Sequence, residues 1–334
     1  MFHVKHFLPL LAVLLCCSFS SCSNRRATDA CCGQMLFIDT TYSDVPFAKD
    51  ENIVYFNGRY FMYYTAYYSN DEGAPRLCVG ISESEDLTNW TRISQILPEL
   101  EGETDQICAP GAIIRNDTLH LFYQSYGIWG KEAICHATSV DGIHFEHDAS
   151  NPVFSASGDW NCGRAIDAEV VEFNGRYFMY FATRDPELEV QFQGVAAADK
   201  NSGLHRGDWK QLTDYSILYP ELPWEGKCIE GATTIVRGKK LFMFYAGAYN
   251  RSPQMIGAAM SEDGINWQRL SDEPFLRNGE PGSWNEQESG HPDIFTDKDG
   301  RTWLFYQGYN ENDRSWEISK TEVKWKKGLP YLPK

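Results

Sequence analysis

Asp50, Asp167, Glu230 and His291 each stand just ahead of a β-rich run, and together they supply three carboxyls and an imidazole. Groups of this kind move protons. A carboxylate activates water and a carboxylic acid protonates a leaving oxygen, provided their surroundings push their pKa values apart. Each residue also has a plainer reading. Asp50 could cap a turn, Asp167 could pair with Arg164, Glu230 could pair with Lys227, and His291 could be a satisfied histidine at a strand start.

An internal ruler favours a shared site. The phrase Asn57-Gly58-Arg59-Tyr60-Phe61-Met62-Tyr63-Tyr64 returns with variations from Asn116, Asn174, Arg237 and Asp299, at spacings of 59, 58, 63 and 62 residues. Fourteen residues before the last aromatic of the phrase, counted from Tyr64, Tyr123 and Phe181, lie Asp50, Ala109 and Asp167. Fifteen before Tyr245 and Tyr306 lie Glu230 and His291, the extra residue being assigned to a longer hairpin in those two copies. Equivalent positions of a repeat occupy equivalent places, so the acids and the histidine converge. Crowded carboxylates cost free energy unless charges or protons compensate, which points to chemistry rather than folding.

Other residues are grouped with this ring. Trp160, Trp224 and Trp284 precede Asp167, Glu230 and His291 by six or seven residues. They either offer aromatic faces to a sugar or form a repeated structural wedge between units. Glu288, in the run before His291, either contacts substrate or is a solvated loop charge. Arg164 and Gln307 are further candidates for substrate contact.

The elements that carry these residues follow from the same repeat. Residues 51–56 are rich in β-branched and aromatic side chains, Asn57-Gly58 has the chemistry of a two-residue hairpin, and residues 60–67 form a second strand. Residues 77–82 predict a third strand, and the turn at Asp86 leads into a short fourth. The third-to-fourth passage recurs as Ser139-Val140-Asp141-Gly142-Ile143 and Ser261-Glu262-Asp263-Gly264-Ile265. Four antiparallel strands repeated five times predict an all-β fold, a five-bladed β-propeller over residues 45–325, with a short tail at 326–334.

The chain of 334 residues has a formal net charge of −16, which argues against nucleic acid or an anionic membrane surface as a partner. Its hydrophobic fraction of 43% and aromatic fraction of 14% are ample for a large core. Residues 1–22 predict a signal peptide, with Lys5 ahead of an apolar run too short to span a bilayer. Phe19-Ser20-Ser21-Cys22 resembles a bacterial lipobox, which predicts export, lipidation at Cys22 and a place in the periplasm or outer membrane. Residues 23–44 are a tether and lead-in. Cys78 and Cys135 occupy matching places in repeats one and two and could face each other across neighbouring units. No C-x-x-C pair exists, so a zinc site of that type is not expected.

The ring, the flanking phrases Ile166-Asp167-Ala168-Glu169-Val170 and Ile229-Glu230-Gly231, and the fivefold repeat resemble the five-bladed propeller glycosidases of glycoside hydrolase family 43, and more distantly family 32. The resemblance implies a carbohydrate substrate, with Asp50 as general base, Asp167 tuning pKa and orientation, and Glu230 as general acid. It also implies that His291 binds a metal, commonly calcium, or a water. On this reading no cofactor is required, burial and Asp167 raise the pKa of Glu230, and Asp50 stays ionised. The spacing of Asp50 and Glu230 would decide whether the anomeric configuration inverts or is retained. A non-catalytic glycan-binding lipoprotein and a glycoside phosphorylase are the alternatives.

Overall fold

The computed structural model describes residues 35–333. The predicted signal segment, the lipobox and Cys22 lie outside them.

A short strand, β1 (Leu36–Phe37), precedes five sheets of four antiparallel strands. Blade one holds β2 (Lys49–Phe56), β3 (Arg59–Ser69), β4 (Pro75–Ser84) and β5 (Thr91–Ile96). Blade two holds β6 (Ile107–Arg115), β7 (Thr118–Ser125), β8 (Ile134–Ser139) and β9 (Glu146–His147). Blade three holds β10 (Ile166–Phe173), β11 (Arg176–Arg184), β12 (Gln191–Asp199) and β13 (Lys210–Gln211). Blade four holds β14 (Ile229–Arg237), β15 (Lys240–Gly247), β16 (Met255–Ser261) and β17 (Gln268–Arg269). Blade five holds β18 (Glu288–Thr296), β19 (Thr302–Asn310) and β20 (Ser315–Lys326), and its fourth strand is β1. Leu36 pairs with Ser319 and Phe37 with Ile318, so part of the expected lead-in closes the ring of blades. In the tail, β21 (Leu329–Tyr331) pairs with the far end of β20.

The second strand of each blade reads as a near-continuous apolar run because both of its faces are covered. In β3, Tyr60, Met62 and Tyr64 join the core shared with blade five, while Phe61 and Tyr63 join the core shared with blade two. Five such clusters separate the five blades. Cys78 and Cys135 fall in different clusters and are free thiols, so the expected facing pair does not form. Buried tyrosine hydroxyls require partners. Tyr64, Tyr123 and Tyr245 donate to Asp39, Glu103 and Glu225 at 2.8, 2.6 and 2.7 Å. Arg92, His147 and Arg269 from the outer strands face the same three carboxylates.

Candidate active site

The first strand of every blade breaks its ladder near its start, between Lys49 and Asn52, Cys108 and Gly111, Ile166 and Glu169, Glu230 and Thr233, and Gly290 and Asp293. The residue just inside each break has positive φ: Asp50 at 52°, Ala109 at 48°, Asp167 at 54°, Gly231 at 54° and His291 at 40°. A bulge of this kind re-aims side chains at the cost of backbone strain. These five bulges line one opening on the propeller axis.

The ring therefore reads Asp50, Ala109, Asp167, Gly231, His291, which corrects the expected register in blade four. Arg237 pairs with Lys240 across a two-residue turn, as in blades one to three. Only the hairpin of blade five, between Thr296 and Thr302, is longer. Glu230 sits one residue earlier, in the place that Lys49 holds in blade one, and still reaches the axis. Gly231 makes room for His291 beside it: a Cβ there would lie 2.8 Å from His291 Nδ1.

His291 is the hinge of the arrangement. Its Nδ1 lies 3.2 Å from Asp50 Oδ1 and its Nε2 lies 3.5 Å from Glu230 Oε1. Ligand-type atoms of Asp167, Glu230 and His291 all lie within 4.8 Å of one another. Asp50 Oδ2 accepts from the Thr65 hydroxyl at 2.7 Å, and Thr65 Oγ1 accepts from the Ala109 amide at 2.8 Å. The Asp50 amide donates to Gln307 Oε1 at 2.8 Å and the Asp167 amide to Gln124 Oε1 at 2.8 Å. Glu230 accepts from Gln254 Nε2 at 2.8 Å and from Gln191 Nε2. Arg164 and Arg184 donate to the Gln191 carbonyl at 3.1 and 2.9 Å, which turns its amide nitrogen toward Glu230. Asp167 Oδ2 is buried and has no hydrogen-bond partner.

The charges distribute differently from the expectation. Burial pushes the Asp167 carboxyl up to about 6, the charge of His291 opposing and those of Glu230 and Asp50 adding. Burial also acts upward on Glu230, but the hydrogen bond and charge of His291 outweigh it and hold that carboxyl down at about 2. His291 rises to about 10, because Asp50, Asp167 and Glu230 together overcome the burial that disfavours its charge. The raised carboxyl in the free site is thus Asp167, and Glu230 is ionised beside an imidazolium.

Calcium does not fit this donor set. It takes six to eight oxygens, whereas this cluster offers the carboxylate oxygens of Asp167 and Glu230 and one imidazole nitrogen, so water would have to complete the shell.

The other expected residues occupy varied places. Trp160 stacks on Phe192 at 5.6 Å, and Trp284 packs on Tyr306 at 5.4 Å and against Gly308. Trp224 stacks on Tyr245 at 6.0 Å, lies against Gly247 and Gly257, and donates to the Asp272 carbonyl. Each ring thus packs on strands of its own blade, and none lines the axial opening. Arg164 pairs with Glu132 at 3.1 Å rather than with Asp167, and Lys227 pairs with Glu189 at 3.0 Å rather than with Glu230. Glu288 is the buried first residue of β18, not a loop charge. It accepts from Gln307 Nε2 at 2.5 Å and the Arg251 amide at 2.8 Å, and burial lifts its carboxyl to about 7. Gln307 is buried behind Asp50, linking it to Glu288.

Sequence reasoning missed Lys49, Thr65, Gln124, Gln191, Gln254 and Trp129. Lys49 Nζ lies 3.8 Å from Asp50 Oδ1 and 4.3 Å from the Trp316 ring. Thr65 and Gln124 directly follow the last aromatic of their phrase, as Gln307 does, so the ruler could have found them. Trp129 carried no repeat signal. It is 58% exposed, and Arg164 and Arg184 lie 5.3 and 4.5 Å from its ring.

Comparison with known proteins bears on this geometry. The family model described as Glycosyl hydrolases family 43 matches residues 45–330. A sucrose-6-phosphate hydrolase of Zymomonas mobilis is 25% identical over 165 residues, 47% of this chain and 31% of that protein, so the match spans about a third of the relative's length. A thermostable family-43 glycoside hydrolase structure shares 19% identity and a TM-score of 0.67 over 86% of this chain and 93% of that one. An endo-1,4-beta-xylanase structure from Bacteroides thetaiotaomicron shares 19% identity and a TM-score of 0.68, covering 89% and 97%. The match over nearly the whole propeller, together with the five-bladed fold, shows that the chain belongs to glycosyl hydrolase family 43.

Proposed function

We propose that the protein is an exported glycoside hydrolase that cleaves a glycosidic bond of a plant- or algal-type oligo- or polysaccharide with inversion. The carrying observation is the placement of Asp50 and Glu230 against opposite nitrogens of His291, with Asp167 beside them. A whole imidazole between the two carboxylates supports the wider spacing that leaves room for a water. Asp50, held by Thr65, activates that water. Glu230 protonates the leaving oxygen, and its proton comes from the neighbouring Asp167 carboxyl, the group that burial keeps protonated to about pH 6. Asp167 and His291 thus set the charge of Glu230 as well as its position.

Glu230→Gln should lower kcat by 10²-fold or more, with the fold unchanged by circular dichroism. The assay is a panel of arabinosides, xylosides, galactosides and fructosides, with the product anomer read by NMR and each substrate run with and without phosphate. Undiminished turnover in the variant would sink the assignment, and phosphate-dependent release would favour a phosphorylase. The reading requires no cofactor, so exhaustive chelation should leave kcat/KM unchanged. We further propose anchoring through lipidated Cys22. Palmitate label retained in Cys22→Ala would contradict it.

A further inference from the structure

A second cluster of metal-binding side chains lies at the outer junction of blades two and three. His136 is on β8, Asp148 follows β9, and His205 is in the loop after β12. The Nδ1 atoms of His136 and His205 both face Asp148 Oδ2, at 3.1 and 2.6 Å. All three ligand-type atoms lie within 4.8 Å of one another.

Each group is held in that orientation by its surroundings. The other Asp148 oxygen is occupied by the Ser150 amide and hydroxyl, at 2.8 and 2.7 Å, so Oδ2 is the one left to the histidines. The His136 ring is buried between Phe122 at 4.8 Å and His120 at 5.2 Å, both nearly parallel to it, and its Nε2 lies 3.0 Å from His120 Nδ1. The His205 ring lies over Gly203, where a Cβ would come within 2.3 Å of it. Arg206, the next residue, donates to the Ser150 and Pro152 carbonyls at 2.8 and 2.9 Å and fastens the loop to blade two. The His205 side chain is 62% exposed, which leaves an open approach on one side.

We propose that His136, Asp148 and His205 bind a first-row divalent transition metal, zinc foremost, and that the ion clasps blade three to blade two. Two imidazole nitrogens and a carboxylate oxygen are a zinc-type donor set with a fourth position for water, and they are unsuited to calcium or magnesium. Without metal, two ring N–H groups converge on one carboxylate oxygen. When metal binds, each of these rings moves its proton from Nδ1 to Nε2. His136 Nε2–H then donates to His120 Nδ1, whose own proton moves to Nε2, giving the outer hydrogen bond that orients a ligating imidazole.

The test uses the untagged full chain, stripped with chelator. It is titrated with zinc by calorimetry and with cobalt(II) by visible absorption. About one zinc equivalent per chain is expected at this site, with tetrahedral cobalt bands and a rise of several degrees in Tm on adding zinc. His205→Ala, a mostly exposed position, should fold normally and lose this equivalent, the bands and the Tm rise. His291→Ala should keep all three, which separates this site from the axial one. No binding by the wild type, equal stoichiometry in His205→Ala, or loss in His291→Ala would each overturn the proposal.

Discussion

His291 decides the protonation of the residues around it. Three carboxylates approach it, and its own pKa near 10 keeps it charged at neutral pH. Its imidazolium holds Glu230 ionised, while burial keeps Asp167 protonated up to about pH 6. The last proton that the carboxylates can pass to a leaving group is therefore lost as pH rises through about 6, and kcat/KM should fall with it. In His291→Gln the charge disappears, and the remaining Gln254 hydrogen bond and Lys49 charge oppose burial less strongly, which raises the pKa of Glu230. The alkaline limb of the kcat/KM profile should then move to higher pH, with kcat lowered about 10²-fold. An unmoved limb would show that His291 does not set the proton inventory.

At the scale of the strand, the bulge is what turns an ordinary sheet into a site. Each one inserts an unpaired residue near the strand start, so side chains that would alternate between faces turn to the axis instead. Gly231 is the bulge residue of blade four, with φ at 54° and His291 Nδ1 only 2.8 Å from where a Cβ would fall. Gly231→Ala should push the imidazole off both carboxylates and cost about 10²-fold in kcat, while the propeller still folds. Near-wild-type kcat in this variant would show that the ring tolerates displacement. The same strands show how far the sequence could be read. The repeat, the hairpins and the axial convergence were legible because Asn57-Gly58 and its copies fix the turns and the apolar runs fix the second strands. Glu230 was identified through a register one residue off, since apolar spacing does not distinguish a two-residue turn after Arg237 from the longer one after Thr296. Gln191 and Gln254 escaped notice because one opens a third strand and the other directly precedes one, outside the phrase that served as the ruler. The three tryptophans each precede the bulge residue of their blade, Asp167, Gly231 and His291, by seven positions, and each packs against its own blade, a packing contact that repeats as regularly as a functional one.

The whole ring holds together through five interblade cores and a closure by two residues, Leu36 and Phe37, too few to stand out as a strand in sequence. Through its axis runs a column of acids that the reaction does not use. Glu51 is buried with both carboxyl oxygens unpartnered, Asp293 accepts from Asn52 and the Ile53 amide, and Glu169 accepts from the Thr234 amide and hydroxyl, both at 2.7 Å. Burial lifts Glu169 to about 8 and Asp293 to about 7. A carboxyl whose folded pKa is raised binds more protons folded than unfolded between its two pKa values. Stability is then greatest below the unfolded value and falls as pH rises to the folded one. For Glu169 that window runs from about 4.5 to about 8. Denaturant unfolding should therefore give a less stable protein at pH 8 than at pH 5. Glu169→Gln keeps an acceptor for Thr234 and removes the ionisation, so at pH 8 it should exceed the wild type by about 2–4 kcal/mol. At pH 5 the two should nearly coincide. A variant less stable than the wild type at pH 8 would mean that Glu169 is held there as a carboxylate, with a counter-charge in the channel.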